Sequence, residues 1–197
     1  MPTDPRAAAA LRAWADGTDT YLDVVRLDLS AADLSGADFS MGLLCEADLR
    51  GARLIDADLY RAHLEGAVLD GADLTGACLV KAELDEASMR GAVLRGANLG
   101  SASLHAVDAR AADFSAARLN GATLRDARLQ GADLTDATVK ETSLRAVLDE
   151  STVVQGLTGT LFGPATVQTT ETRHQLAGTA LADWLNTRGA DIHVLNT

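Results

Sequence analysis

Aromatic residues make up only 4% of the 197-residue chain, so no interior can be assembled around large rings, and a core has to be built from Ala and Leu in small, repetitive units. Cysteine is scarcer still. Cys45 and Cys78 are too few for a disulfide scaffold and too far apart for a metal-binding pair, which agrees with a reducing compartment. No stretch of about 18 apolar residues is present. The amino-terminal MPTDPRAAAALRAWADG carries acids and a proline where a signal peptide needs a basic and then a greasy run, so the expectation is a soluble, cytoplasmic protein with no membrane association. Basic residues are also in short supply. Seventeen Lys and Arg face 28 Asp and Glu, a net charge of −11, and that field repels nucleic acid and anionic membrane alike. Phosphate loops, dinucleotide fingerprints, nucleophile elbows and H-E-x-x-H helices are missing as well, so no catalytic residue, cofactor or metal is expected and the chain reads as non-enzymatic.

What the chain does contain is a repeat. From Leu29 to Leu144 an apolar residue falls on every fifth position without insertion, giving 24 units, of which 19 have Leu at the centre; the residue two before the centre is Ala in 20. A helix turning about 100° per residue would scatter these Leu residues over all its sides, and a flat strand would send them to alternate faces. In nine units Gly stands two after the centre, at Gly36, Gly51, Gly66, Gly71, Gly76, Gly91, Gly96, Gly121 and Gly131. The chain therefore turns a corner every five residues, with Ala and Leu inside and Gly, Asp, Asn and Ser at the corners. Four such sides close a coil of 20 residues. Within it Phe39, Met89, Ala109 and Phe114 are expected in the core. Val107-Asp108-Ala109 swaps the sizes of its two inward residues, and Met89, twenty residues earlier, has the flexibility to fill the gap beneath Ala109. Gly42, in place of Ala, suggests local loosening or a contact patch.

The units Ala32-Asp33-Leu34-Ser35-Gly36 and Ala72-Asp73-Leu74-Thr75-Gly76 resemble those of the pentapeptide-repeat proteins. The resemblance implies an all-β solenoid, a right-handed quadrilateral β-helix of about six coils over residues 27–146. Residues 1–26 form an N-terminal helical cap: Asp4-Pro5 starts a helix, Gly17 ends it, and Leu11 and Trp14 share a face. Residues 147–197 form a small mixed α/β C-terminal capping or dimerisation unit. There the pattern predicts strands at 160–168, interrupted near Gly163-Pro164, at 173–176 and at 191–195, with a helix over 179–188 bearing Leu181, Trp184 and Leu185 on one side. In gyrase-interacting members of the family a C-terminal element makes the dimer but is mainly helical. For these three residues, homodimer contact and capping of the last coil both stay open.

Charge is unevenly distributed: residues 27–86 carry net −9 and residues 87–146 net +2. Three coils rise roughly 14 Å, a length over which duplex DNA bears about eight charges. Stacking at 20-residue intervals makes columns of Asp28 with Asp48, Asp38 with Asp58 and Glu65 with Asp85. Asp directly before the centre is an ordinary turn residue, which leaves Glu46, Glu65, Asp85 and Glu86 without a turn explanation. These eight acids form the candidate partner-binding surface. Resemblance to Qnr-type and mycobacterial quinolone-resistance members implies a rod that mimics DNA and binds DNA gyrase or topoisomerase IV, protecting the enzyme from quinolone or toxin or modulating it. The alternative is a capped scaffold whose protein partner contacts the C-terminal unit or a patch near Met41, Leu43, Cys45, Ile55 and Tyr60. His63 and His105 fall on one side but two coils apart, which makes them surface residues rather than ligands to a common metal.

Overall fold

A corner every fifth residue requires a backbone conformation that turns without breaking hydrogen bonding. In the computed structural model, which describes residues 2–18 and 21–195, that corner is a turn closed by the N–H of the next Ala on the carbonyl of the preceding centre, as in Ala52 to Leu49 at 3.0 Å. The third turn residue has positive φ throughout the repeat, from Arg26 to Glu141, and Gly occupies it in nine of the 24 units. Positive φ at that position alone marks a type II turn. Between corners, each residue before a centre bridges in parallel to the residue twenty positions on: Leu43 to His63, Asp28 to Asp48, Asp33 to Arg53 and Asp38 to Asp58.

Those four interleaved series are four walls. The first wall contains residues 22–26 and their equivalents every twenty residues, the second 27–31, the third 32–36 and the fourth 37–41. Four of the five N–H groups of each unit are satisfied by the backbone itself. On the second wall Asp48 N–H donates back to Leu27, Leu49 N–H forward to Val68, Gly51 N–H forward to Asp70, and Ala52 N–H closes the turn. The fifth, on the residue after the centre, needs another acceptor. In eight of the nine units with Asp before the centre, that carboxylate supplies it, as Asp28 does for Ser30 at 2.8 Å and Asp58 for Tyr60 at 2.9 Å.

Coiling extends further than the uninterrupted repeat. The column Asp23, Leu43, His63, Glu83, Ser103, Thr123, Ser143, Phe162 traces seven turns, where six over residues 27–146 were expected. Residues 22–26 already wind as a first rung. After Leu144 the centres are spaced four residues to Leu148 and then six to Val154. The two slips cancel: Arg128 bridges to Val147, nineteen residues on, but Asp133 to Val153, twenty on. The buried Thr142 and Thr152 hydroxyls in this stretch donate to the Leu119 and Leu129 carbonyls.

The interior is one cluster of Ala and Leu. Met89 stacks on Ala109 in the second wall, through Ser88 bridged to Asp108, and both are fully buried. Phe114 lies in the wall next to Ala109 within the same coil, so the bulky ring and the missing Leu are neighbours in one layer. Gly42 is not a loose point. A Cβ there would meet the Phe39 carbonyl at 3.0 Å and Leu44 Cδ1 at 3.2 Å, above a Leu at position 22 where most coils have Ala.

Both ends are covered. Helix α1 (Pro5–Ala15), capped by the Asp4 carboxylate on Arg6 N–H at 2.8 Å, buries Leu11 and lays Trp14 against Phe39 with ring centroids 5.3 Å apart. At the other end the strands are β1 (Thr138–Ser143), β2 (Val147–Asp149), β3 (Thr158–Phe162), β4 (Ala165–Gln168), β5 (Arg173–Leu176) and β6 (Asp191–Leu195), with α2 (Gly178–Asn186) between the last two. Strand β6 adds to β3 in parallel and β5 returns antiparallel to β4. Leu181 and Leu185 of α2 are completely buried in the common core, and Trp184, partly buried, lies under the Arg188 guanidinium at 4.1 Å. With Leu181 and Leu185 enclosed by their own chain, neither presents a side chain for dimer contact.

Positive φ costs an L-residue roughly 1 kcal/mol or more, a penalty that Gly escapes. Ala116 holds φ +55 at an exposed corner. Ala116→Gly should therefore stabilise the protein by about 1 kcal/mol. Gly76→Ala, whose Cβ would fall 2.2 Å from Asp56 Oδ1 at φ +71, should destabilise it by more, both read from chemical denaturation.

Candidate interaction surface

Sorting the charges by wall changes the picture that their order along the chain gives. In the first four coils the first wall carries Asp23, Glu46, Glu65, Glu83, Asp85 and Glu86 against Arg26, a net −5, while the second and third walls carry −1 each and the fourth is neutral. In the next three coils the same wall reverses to Arg125 and Arg145 against Asp126. Of the eight acids singled out in the sequence, Glu46, Glu65, Asp85 and Glu86 come together here. Asp28 and Asp48 lie on the second wall, and Asp38 and Asp58 on the fourth. They do not form one surface. All four of these Asp residues are occupied with the N–H two residues on, and Asp48 is further paired with Arg50.

Asp23 and Glu83 complete the acidic wall and were missed by the sequence reading. Their signal was available, since both fall on the same wall of the twenty-residue coil as the others, but neither lies in a column of acids.

Within the wall the acids have distinct surroundings. Glu46, at a positive-φ corner, receives a two-pronged guanidinium from Arg26 at 2.7 and 2.8 Å. That hydrogen bonding lowers its pKa. Asp85 accepts from Ser103 Oγ at 2.5 Å and from His105 N–H at 2.9 Å, so it supplies the fifth N–H of the coil above and has a structural explanation that its position before a corner hides. Glu86 sits exposed at the next corner.

Glu65 is held between Cys45, whose thiol lies 3.3 Å from Oε2, and His63, whose Nδ1 lies 3.4 Å from Oε1; the same nitrogen is 3.3 Å from Glu83 Oε2. Burial works against the Glu65 carboxylate, yet hydrogen bonds from its backbone and from Cys45 hold its pKa below the ordinary value, while burial and the adjacent carboxylate raise that of the Cys45 thiol. His63 thus meets two carboxylates instead of His105, which turns to the Arg125 carbonyl.

The apolar patch read from the sequence also divides. Met41, Leu43 and Cys45 follow one another around the corner from the fourth wall to the first, the Tyr60 carbonyl one coil up accepts from Met41 N–H at 2.8 Å, and Ile55 belongs to the third wall. Met41 is 52% exposed.

The most strongly shifted acid lies elsewhere, on the second wall. Burial opposes ionisation of Asp108, but hydrogen bonds from Arg110 and Arg90 at 2.8 Å overcome it and bring its pKa down to about 2. A carboxyl depressed on folding contributes stability above its unfolded value near 4 and loses it as pH falls through the folded value. Asp108→Asn should cost on the order of 1–2 kcal/mol at pH 7, and its difference from the unsubstituted protein should shrink between about pH 4 and pH 2 in denaturation measured across pH.

A square coil of pentads matches a known class. The pentapeptide-repeat signature occurs in 8 copies and covers residues 28–66, 47–85, 67–105 and 110–146, and the chain belongs to that family. Among solved structures it is similar to HetL, a pentapeptide-repeat protein involved in heterocyst differentiation regulation in the cyanobacterium Nostoc, with 29% identity and a TM-score of 0.56 over 94% of this chain and 90% of HetL. It is also similar to a pentapeptide-repeat protein of the Arabidopsis thaliana thylakoid lumen (27% identity, TM-score 0.46, covering 47% and 65% of the two chains). A further similar structure is QnrB1, a plasmid-mediated fluoroquinolone resistance protein (15% identity, TM-score 0.48, covering 71% and 76%). No curated protein sequence matches the chain. The repeats and the likeness to HetL imply a right-handed β-helix, and no enzymatic family is indicated.

Proposed function

We propose that this chain is a non-enzymatic interaction protein whose acidic first wall occupies a basic surface built for duplex DNA, with DNA gyrase or topoisomerase IV as the partner. Such an occupant would shield the enzyme from quinolone or toxin, or modulate its activity. The observation that carries the reading is the concentration of net −5 on one wall of the first four coils. Four coils rise about 19 Å, over which DNA bears about eleven charges. One face of this rod therefore reaches nearly half the linear charge of the duplex, at a spacing fixed by the backbone. Similarity to HetL, whose role is regulatory, supports an interaction partner over a catalyst.

Association driven by such a face depends on ionic strength, because exposed charges are screened within about 10 Å at 0.1 M salt. Charge reversal at Glu46, Glu65, Asp85 and Glu86 should abolish inhibition or quinolone protection in a gyrase supercoiling assay. Reversal of Asp56 and Asp136, corner acids of the third wall, should leave it intact. Equal behaviour of the two sets would remove DNA mimicry.

A second reading is favoured by the exposure of Met41 beside Leu43. In this reading the chain is a capped scaffold that binds its partner through an apolar corner. Binding that is indifferent to salt and lost on Met41→Lys would establish it instead.

A further inference from the structure

We propose that His63, Glu65 and Glu83 form a binding site for one divalent metal ion of the zinc class, with the Cys45 thiol at its edge. The fold assembles the set from two consecutive coils. His63 and Glu65 flank the buried Leu64, so both project outward from the same wall. Glu83 stands on His63 through a direct bridge, and Cys45 stands one coil below Glu65.

Distances give the arrangement its meaning. Ligands at 2.0–2.2 Å from a tetrahedral zinc lie roughly 3.3–3.6 Å from one another. His63 Nδ1 is 3.4 Å from Glu65 Oε1 and 3.3 Å from Glu83 Oε2, and one donor atom from each of the three residues falls within 4.8 Å of the other two. An imidazole nitrogen between two carboxylates is a donor set suited to zinc and its neighbours rather than to calcium or magnesium, which take oxygen alone. Three protein ligands leave the fourth position for water or a partner's side chain.

The neighbours delimit the site. Asp85, the next carboxylate up the wall, is taken by Ser103 and the His105 N–H, and below His63 the column offers Leu43. Among the described residues no Lys or Arg forms an ion pair with Glu65 or Glu83. Cys45, hydrogen-bonded to the second oxygen of Glu65, orients that carboxylate toward His63.

The test is calorimetric titration of the full-length protein with zinc, alongside visible spectroscopy with cobalt(II). One zinc per chain, an intense tetrahedral cobalt spectrum, and weakening of roughly tenfold or more in His63→Ala and in Glu83→Gln are expected. Glu86→Gln, on the same wall outside the set, should bind as the unsubstituted protein does, and Cys45→Ser should retain binding. All these side chains point outward, and circular dichroism will verify that each variant keeps its fold. Absence of zinc binding would overturn the proposal and leave His63 as a hydrogen-bond partner of the two carboxylates. Binding unaffected by His63→Ala, or matched by magnesium at equal concentration, would overturn it too. None of these readouts involves gyrase.

Discussion

The hydrogen-bond ladder that joins each residue to its equivalent one coil away sets every other property of this protein. It fixes the wall on which each side chain appears, because neither the helix nor the flat strand offers a five-residue period. Each pentad satisfies four N–H groups by backbone alone and presents one that needs help. Asp before the centre is therefore a structural residue first and a charge second. Asp70 and Asp85 perform the same service from a different position, reaching the N–H groups of Arg90 and His105 in the following coil.

The fold was legible to an unusual degree because one sequence period carries one geometric operation. Spacing gave a corner every five residues, the resemblance to pentapeptide-repeat proteins implied the four walls, and the resulting twenty-residue coil stacked Met89 with Ala109. The end units were also readable: Asp4-Pro5 and Gly17 bracket α1, and strand β5 and strand β6 lie where alternation placed them. The coils beyond residue 146 were hidden by centres spaced four and then six residues apart, which look like the end of a repeat although their sum restores the register. Gly42 misled for a related reason. Read alone it is a gap, but read above Leu22 it is the small half of a matched pair.

The surface was legible only in part. Net charge along the chain sums over all four walls, whereas a partner meets one or two. Counting by chain segment thus gave weight to Asp28, Asp38, Asp48 and Asp58, which face different directions, and omitted Asp23 and Glu83, which face the same way as Glu65. The approach of His63 to Glu65 and Glu83 was likewise invisible to a comparison of histidine with histidine. It depends on a lateral neighbour two residues along the strand from the column, together with side-chain rotamers that spacing does not specify.

Because a full turn takes twenty residues, the coil is indifferent to changes of length in whole turns but not in fractions of one. Removal or duplication of a single pentad would leave every corner and every inward Leu in place, yet would rotate all later side chains by a quarter turn. The arginines now above the acidic wall would pass to an adjacent side. A family built on this period can thus redistribute its surface chemistry by indels alone, without disturbing its interior.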